Sequence, residues 1–405
     1  MPWSTVLRVS IAPRIGLLLV LWLFAYRDSV TELVTRGYWD SVAGQSSTLL
    51  VWTAPAVAAC AAWEGVRIRQ SRALQGAPAR TFTSVSLVTL APTLALGVLA
   101  VVLSLGLLLP QAAGSPDGTT AAIVALQLAV VTAHTAVGYV LGLHLPRLPA
   151  VPVALVGSFV WMAYPAAMNV FWVRQLNGTN LAECCELDQV AAPRSIIAPA
   201  LVAVGLLVAA WLVTARGRGP RLLAPVLLAI TVAGSAWIVN PLGYSAAEPR
   251  STTARTCSGA HPQICLWPEQ RAAAKDVATW ATDAHNRLTA VGVTTAAQLS
   301  PRASTPTSDD IRAQVALSAL PGEIPACART GEWPGNQAHG PLSAWLTITA
   351  GADPEVVATR YAPAEVQAAE RALERPPQEQ RLWFRQNAKT LTRCDLQPVL
   401  DAERP

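Results

Sequence analysis

Apolar residues fill the first 240 positions in long runs, and after Asn240 the runs stop. The runs lie at roughly 12–27, 47–65, 83–109, 120–145, 150–173, 195–215 and 221–239. A helix needs roughly 20 apolar residues to cross a hydrocarbon core of ~30 Å, and it satisfies its backbone hydrogen bonds there within the one segment. The pattern therefore predicts an all-α polytopic membrane protein with about seven transmembrane helices. Residues 1–11 form an amino-terminal segment, 12–240 the transmembrane domain, and 241–405 a separate polar domain. The first run is the shortest: only Ile15 to Tyr26 is cleanly apolar, with Pro13 and Arg14 at its start. It either crosses or lies as a re-entrant or interfacial piece, which would leave six spans. Within 3–11, Trp3, Val6 and Leu7 share one helical face, so a membrane-surface helix and a frayed terminus are both open there.

Beyond Asn240 the period changes. Val277, Trp280, Ala281, Ala284, Leu288 and Val291 recur at helical spacing, which predicts an amphipathic helix over 268–291 with Pro268 at its first position. Shorter helices are expected at about 308–319, 353–361, 363–375 and 377–393, with a Pro/Gly-rich loop over 320–344 and a short strand signal at Leu346-Thr-Ile-Thr. The domain reads as mostly α.

Charge orients the spans. Arg8, Arg14, Arg67, Arg69, Arg72, Arg80, Arg147, Arg216, Arg218 and Arg221 fall on one side of the alternating runs. The other side carries Arg27, Arg36, Arg174 and Arg194 among Asp28, Glu32, Asp40, Asp117, Glu183, Glu186 and Asp188. The positive-inside rule places the first side in the cytoplasm of a plasma-membrane protein. Loops 28–46, 110–119 and 174–194, and everything after Asn240, are then extracellular. The net charge of +5 is a topology signal, and no basic cluster with interleaved aromatics points to nucleic acid.

Six of the seven cysteines fall on the extracellular side, where disulfides form. Cys257 with Cys265 would close a small loop, and Cys327 with Cys394 would tie a mid-domain loop to the last helix; spacing alone leaves other pairings open. Cys184 and Cys185 would form a vicinal disulfide, pair outward or stay reduced. Cys60, inside a run, reads as a small apolar side chain.

Catalytic sets are missing from the sequence. There is no His-Glu-x-x-His, no Gly-x-Ser-x-Gly and no P-loop, so no catalytic residue, metal or cofactor is expected. Cys257-x3-His261-x3-Cys265 has three zinc-ligand types but no fourth at usual spacing, and a local disulfide explains both cysteines. Asp309-Asp310 reads as a solvated helix start. Within the runs, Gln127 and His134 lie on one side of the fourth, and Asn169 falls in the fifth. An ionisable group at mid-membrane is either functional or a neutral histidine bonded across a helix interface. Glu64 beside Arg67 and Arg69 predicts an interfacial ion pair.

Two stretches carry a resemblance: Ala61-Ala-Trp-Glu-Gly-Val-Arg-Ile-Arg-Gln-Ser-Arg-Ala-Leu after the second run, and Cys-x7-Cys-Leu-Trp-Pro-Glu after the last. Together they resemble the integral membrane subunits of actinobacterial ABC transporter systems, which pair with a separately encoded ATPase. The resemblance implies that the cytoplasmic loop 66–82, with Arg67, Arg69 and Arg72, couples to that ATPase. It also implies a second membrane subunit or a homodimer. A seventh span and an extracellular domain after the last span depart from the exporter-like pattern and point toward an accessory subunit. The alternative is a membrane-anchored receptor or scaffold whose extracellular domain binds a protein or envelope component.

Overall fold

The computed structural model describes residues 8–71, 82–215, 218–323, 325–329 and 332–400. Arg72, Arg80 and Arg216, and residues 3–7 of the surface helix considered over 3–11, lie outside them. The chain divides into two compact units, Met1–Ser251 and Thr252–Pro405. The boundary falls past Asn240 because β2 (Ala247–Pro249) pairs antiparallel with β1 (Gln189–Ala191), Ala191 opposite Ala247, and so holds the linker to the first unit.

The first unit contains α1 (Ala12–Ala25), α2 (Trp39–Ser46), α3 (Leu50–Gln70), α4 (Phe82–Leu108), α5 (Gly118–His144), α6 (Arg147–Ala163), α7 (Pro193–Thr214) and α8 (Arg218–Val239). Six helical stretches are long and apolar enough to cross a membrane: Trp39–Gln70, which joins α2 to α3, and those built on α4 to α8. The chain is therefore a helical membrane protein. The first expected span reaches only 14 residues in α1, about 21 Å at 1.5 Å per residue. It runs antiparallel to α3: Val9 O accepts from Arg67 Nη1 at 2.7 Å at one end, and Trp22 packs against Trp52 at 5.2 Å at the other.

Small residues set the centre of this bundle. α5 carries Gly138-x-x-x-Gly142, and these glycines lie on Ala58 and Ala62 of α3. A β-carbon at Gly138 would stand 2.1 Å from Ala58 O, and one at Gly142 2.1 Å from Ala62 O. Gly65 returns the contact against Tyr139 O. In lipid, where apolar burial drives no helix pairing, close backbone approach of this kind supplies the packing. Around the α3–α5 pair sit α4, α6 and α7, while α8 packs chiefly on α7.

The loops sort by end. At one end, Gly37 N donates to Gln111 O at 2.6 Å, Trp39 Nε1 to Gly114 O at 3.1 Å, Tyr38 Oη to Gln189 O at 2.7 Å, and Ala192 N to Ala246 O at 2.9 Å. The acidic-side loops and the linker thus form one polar cap, within which Arg174 bonds Glu183 at 2.8 Å and covers the Tyr244 ring at 4.0 Å. At the other end, Arg67 bonds Val9 O, Arg69 bonds Leu145 O, and Arg147 lies over Trp63 at 5.7 Å.

The second unit is α9 (Ala274–Ala290), α10 (Ser308–Leu317), α11 (Asn336–Thr349), α12 (Pro354–Arg360), α13 (Pro363–Leu373) and α14 (Pro377–Thr390), with a small sheet in the order β3 (Thr256–Ser258), β4 (Gln263–Leu266), β5 (Gln298–Leu299). Its core forms around α11, whose Trp345 is fully buried and stacks on Phe384 at 5.4 Å. α9 and α11 each stop at a glycine of positive φ, Gly292 and Gly351; Val293 N then bonds Leu288 O at 2.9 Å and Ala352 N bonds Thr347 O at 3.2 Å. The expected loop over 320–344 holds as far as Gly335, but its last nine residues and the expected strand at Leu346 are overturned, because residues 336–349 form α11. That helix is buried on nearly every side, so it lacks the polar stripe that makes an amphipathic helix visible, and Gly340-Pro341 punctuates it. The start of the expected helix at 268 is a 3-10 turn, Pro268–Ala273, before α9 begins.

Candidate functional site: a polar atom in an apolar cavity

The membrane helices enclose a cavity of about 380 Å³, lined by Ala58 of α3, His134 of α5, Gly157 and Ser158 of α6, Leu206 of α7 and Leu228 of α8, among others. α6 packs on α3 and α5, whereas α8 packs on α7; α6 and α8 make at most slight contact. Val153, another lining residue, is 44% exposed, so the cavity reaches the flank of the bundle.

His134 is held from α6. Ser158 Oγ and His134 Nδ1 are 2.6 Å apart, a hydrogen bond across the α5–α6 interface. Such a bond was one of the two readings of this histidine from sequence; the cavity beside it was not foreseen. Gly157 leaves room for that cavity, since no atom lies within 4 Å of where its β-carbon would stand. Gln127 is elsewhere: its Nε2 donates to Ala43 O at 2.9 Å and to Ser46 Oγ at 2.8 Å, fastening α5 to α2. Nearby, Thr120 Oγ1 donates to Asp40 at 2.7 Å.

Asn169 does not belong to a span. The fifth run breaks at Tyr164-Pro165, because proline has no N–H to continue the helix, and α6 ends at Ala163. Asn169 lies beyond, exposed, on the way to a single turn at Phe171–Arg174. For Arg67 the expected ion pair with Glu64 forms, but neither Arg67 nor Arg69 lies in the expected loop. α3 continues through Gln70, so both sit on its last turn and not in a loop. Arg67 is paired with buried Glu64 at 2.6 Å as well as with Val9, and Arg69 with Leu145. Cations at a helix C-terminus oppose its negative dipole end, which favours this placement.

In the second unit, disulfides join Cys257 to Cys265 and Cys327 to Cys394, and in the first unit Cys184 to Cys185. The first of these removes the zinc reading at His261, and no metal-holding group of His, Cys, Asp or Glu occurs among the described residues. Asp310 is a capping residue. It accepts from Thr307 Oγ1 at 2.7 Å and from Arg360 Nη2 at 2.8 Å, while its own N–H donates to Thr307 Oγ1 at 3.2 Å. Burial pushes its carboxyl up, but the Thr307 and Arg360 bonds outweigh this and leave it below the usual carboxylate value.

Residues 264–394 match a family model described as a domain of unknown function, DUF7224. The match opens within β4, next to Cys265, and closes on Cys394, so it covers the packed core of the second unit. No curated protein and no solved structure matches the chain.

Proposed function

We propose that this protein is a non-ATP-binding membrane subunit of an ABC-type transporter complex, with its ATPase on a separate chain and its carboxy-terminal domain extracellular. The observation that carries the reading is an incomplete membrane bundle around an apolar cavity. α8 buries only 17% of its apolar stretch, against 72% for Trp39–Gln70, which leaves a whole span to meet lipid or another subunit. The chain has no nucleotide-binding loop of its own. The sorting of loops by end supports the orientation: the acidic-side loops share one polar cap, and Arg67, Arg69 and Arg147 share the opposite end. On this orientation α1 crosses beside α3 as a short seventh span, and all three disulfides lie on the oxidising side. With Arg67 and Arg69 bonded within the chain, ATPase contact falls to the part of loop 66–82 beyond Gln70, where Arg72 and Arg80 are the cations.

A receptor or scaffold is the second reading. It is favoured by the same internal bonding of Arg67 and Arg69, and by an outer domain with a complete core of its own. Affinity purification of the tagged protein from native membranes, with mass spectrometry, separates the two. The transporter reading expects a P-loop ATPase in the eluate that is lost on R72E/R80E. Envelope proteins without an ATPase would replace it by the scaffold reading.

A further inference from the structure

His134 is 7% exposed, and Ser158 occupies its Nδ1. Its Nε2 has no hydrogen-bond partner among the described residues, and His134 lines the cavity. Thr231, another hydroxyl of the lining, donates instead to Leu227 O within its own helix at 2.8 Å. The cavity therefore presents a histidine nitrogen with spare hydrogen-bonding capacity inside a wall built mostly of aliphatic carbon.

We propose that this cavity binds an uncharged lipid alcohol, its hydrocarbon against Ala58, Gly157, Leu206 and Leu228 and its hydroxyl on His134 Nε2. The proposal rests on the transporter reading for its meaning as a substrate class. Four properties select the ligand. The volume, about 380 Å³, lies within the ~300–1,000 Å³ of small-molecule pockets. The site is deep: His134 lies three residues past the middle of α5, or about 4.5 Å along its axis. A charged headgroup is costly at that depth, and phospholipid ester groups sit nearer the interface. Ser158 can donate to Nδ1 or accept from it, so Nε2 is a donor or an acceptor accordingly; a hydroxyl matches both. Finally, the opening at Val153 faces the flank, the direction from which a molecule dissolved in the bilayer arrives.

The test is photolabelling of the full chain in phosphatidylcholine nanodiscs with a diazirine-bearing hexadecanol. Saturable labelling is expected within 118–163, displaced about fivefold better by unlabelled hexadecanol than by hexadecane, and at least tenfold better than by hexadecanoate. Stronger competition by geranylgeraniol than by hexadecanol assigns an isoprenoid alcohol, and the reverse order a straight-chain one. Gly157→Leu fills the cavity from an unobstructed position and should cut labelling at least tenfold. His134→Phe should reduce the preference for alcohol over alkane by about fivefold, the worth of one neutral hydrogen bond, while labelling persists. Elution as a single folded species qualifies each variant, and Gly157→Leu decides alone should His134→Phe fail to fold. Labelling that is non-saturable, indifferent to the hydroxyl, or unchanged by Gly157→Leu overturns the proposal. ATPase co-purification without saturable labelling overturns the substrate class only. Saturable labelling with no ATPase retains the site and overturns the transporter reading.

Discussion

Asp310 shows how much one side chain organises. It closes the capping box of α10 and reaches Arg360 at the end of α12. Because its folded carboxyl titrates below the ordinary value of 3.8, its contribution is fully present above that value and is lost as pH falls through the lower, folded one. Amide exchange over 308–317, corrected for intrinsic rates, should show α10 loosening in acid. Asp310→Asn should open α10 more readily at neutral pH, by about 1 kcal/mol, and flatten the acid dependence. An unaltered acid dependence in that variant would assign it to another group. The acidic pair Asp309-Asp310 was legible as a helix start; the Arg360 bond, 50 residues away in sequence, was not.

At the scale of elements, the strongest joint is the α3–α5 crossing. Gly138→Ala should destabilise the membrane unit by about 1–3 kcal/mol, since the methyl meets a backbone carbonyl that cannot swing aside. Gly157→Ala, with open space around it, should be neutral in the same thermal-unfolding assay. Equal effects would mean that the crossing is looser than described. The second unit has its own joints. Cys327–Cys394 closes a sequence separation of 67 and Cys257–Cys265 one of 8, so loop entropy predicts losses of about 4 and 2.5 kcal/mol on replacing each pair by serine. Denaturant midpoints followed by α11 amide exchange would rank them, and the reverse order would point to enthalpy over loop length. The six long apolar helices and the helices from α12 to α14 could be read from hydropathy, period and capping residues, whereas the first and fifth runs came out shorter than expected. The crossing was signalled by Gly138-x-x-x-Gly142, which runs of mean hydropathy hide. α11 was concealed by its own burial, and Asn169 was misplaced because an apolar run continued past the proline that ends the helix.

At the scale of the molecule, two units of different solvent share one chain. Impermeant protease added to intact cells should remove residues 252–405 while sparing loop 72–81, which is cut only after permeabilisation; the opposite order would invert the orientation. The cavity was beyond sequence reading because its lining comes from five helices whose spacing only the bundle sets. His134 was visible as an intramembrane ionisable residue, and its neighbour Ser158 was not.

The most direct measurement of the central claim is ATP turnover by the complex purified through a tag on this chain. The transporter account predicts hydrolysis that follows a separate P-loop polypeptide through gel filtration and is lost on R72E/R80E, with the membrane subunit still eluting as a folded species. A folded, full-length preparation with no ATP turnover above an untagged control would contradict it.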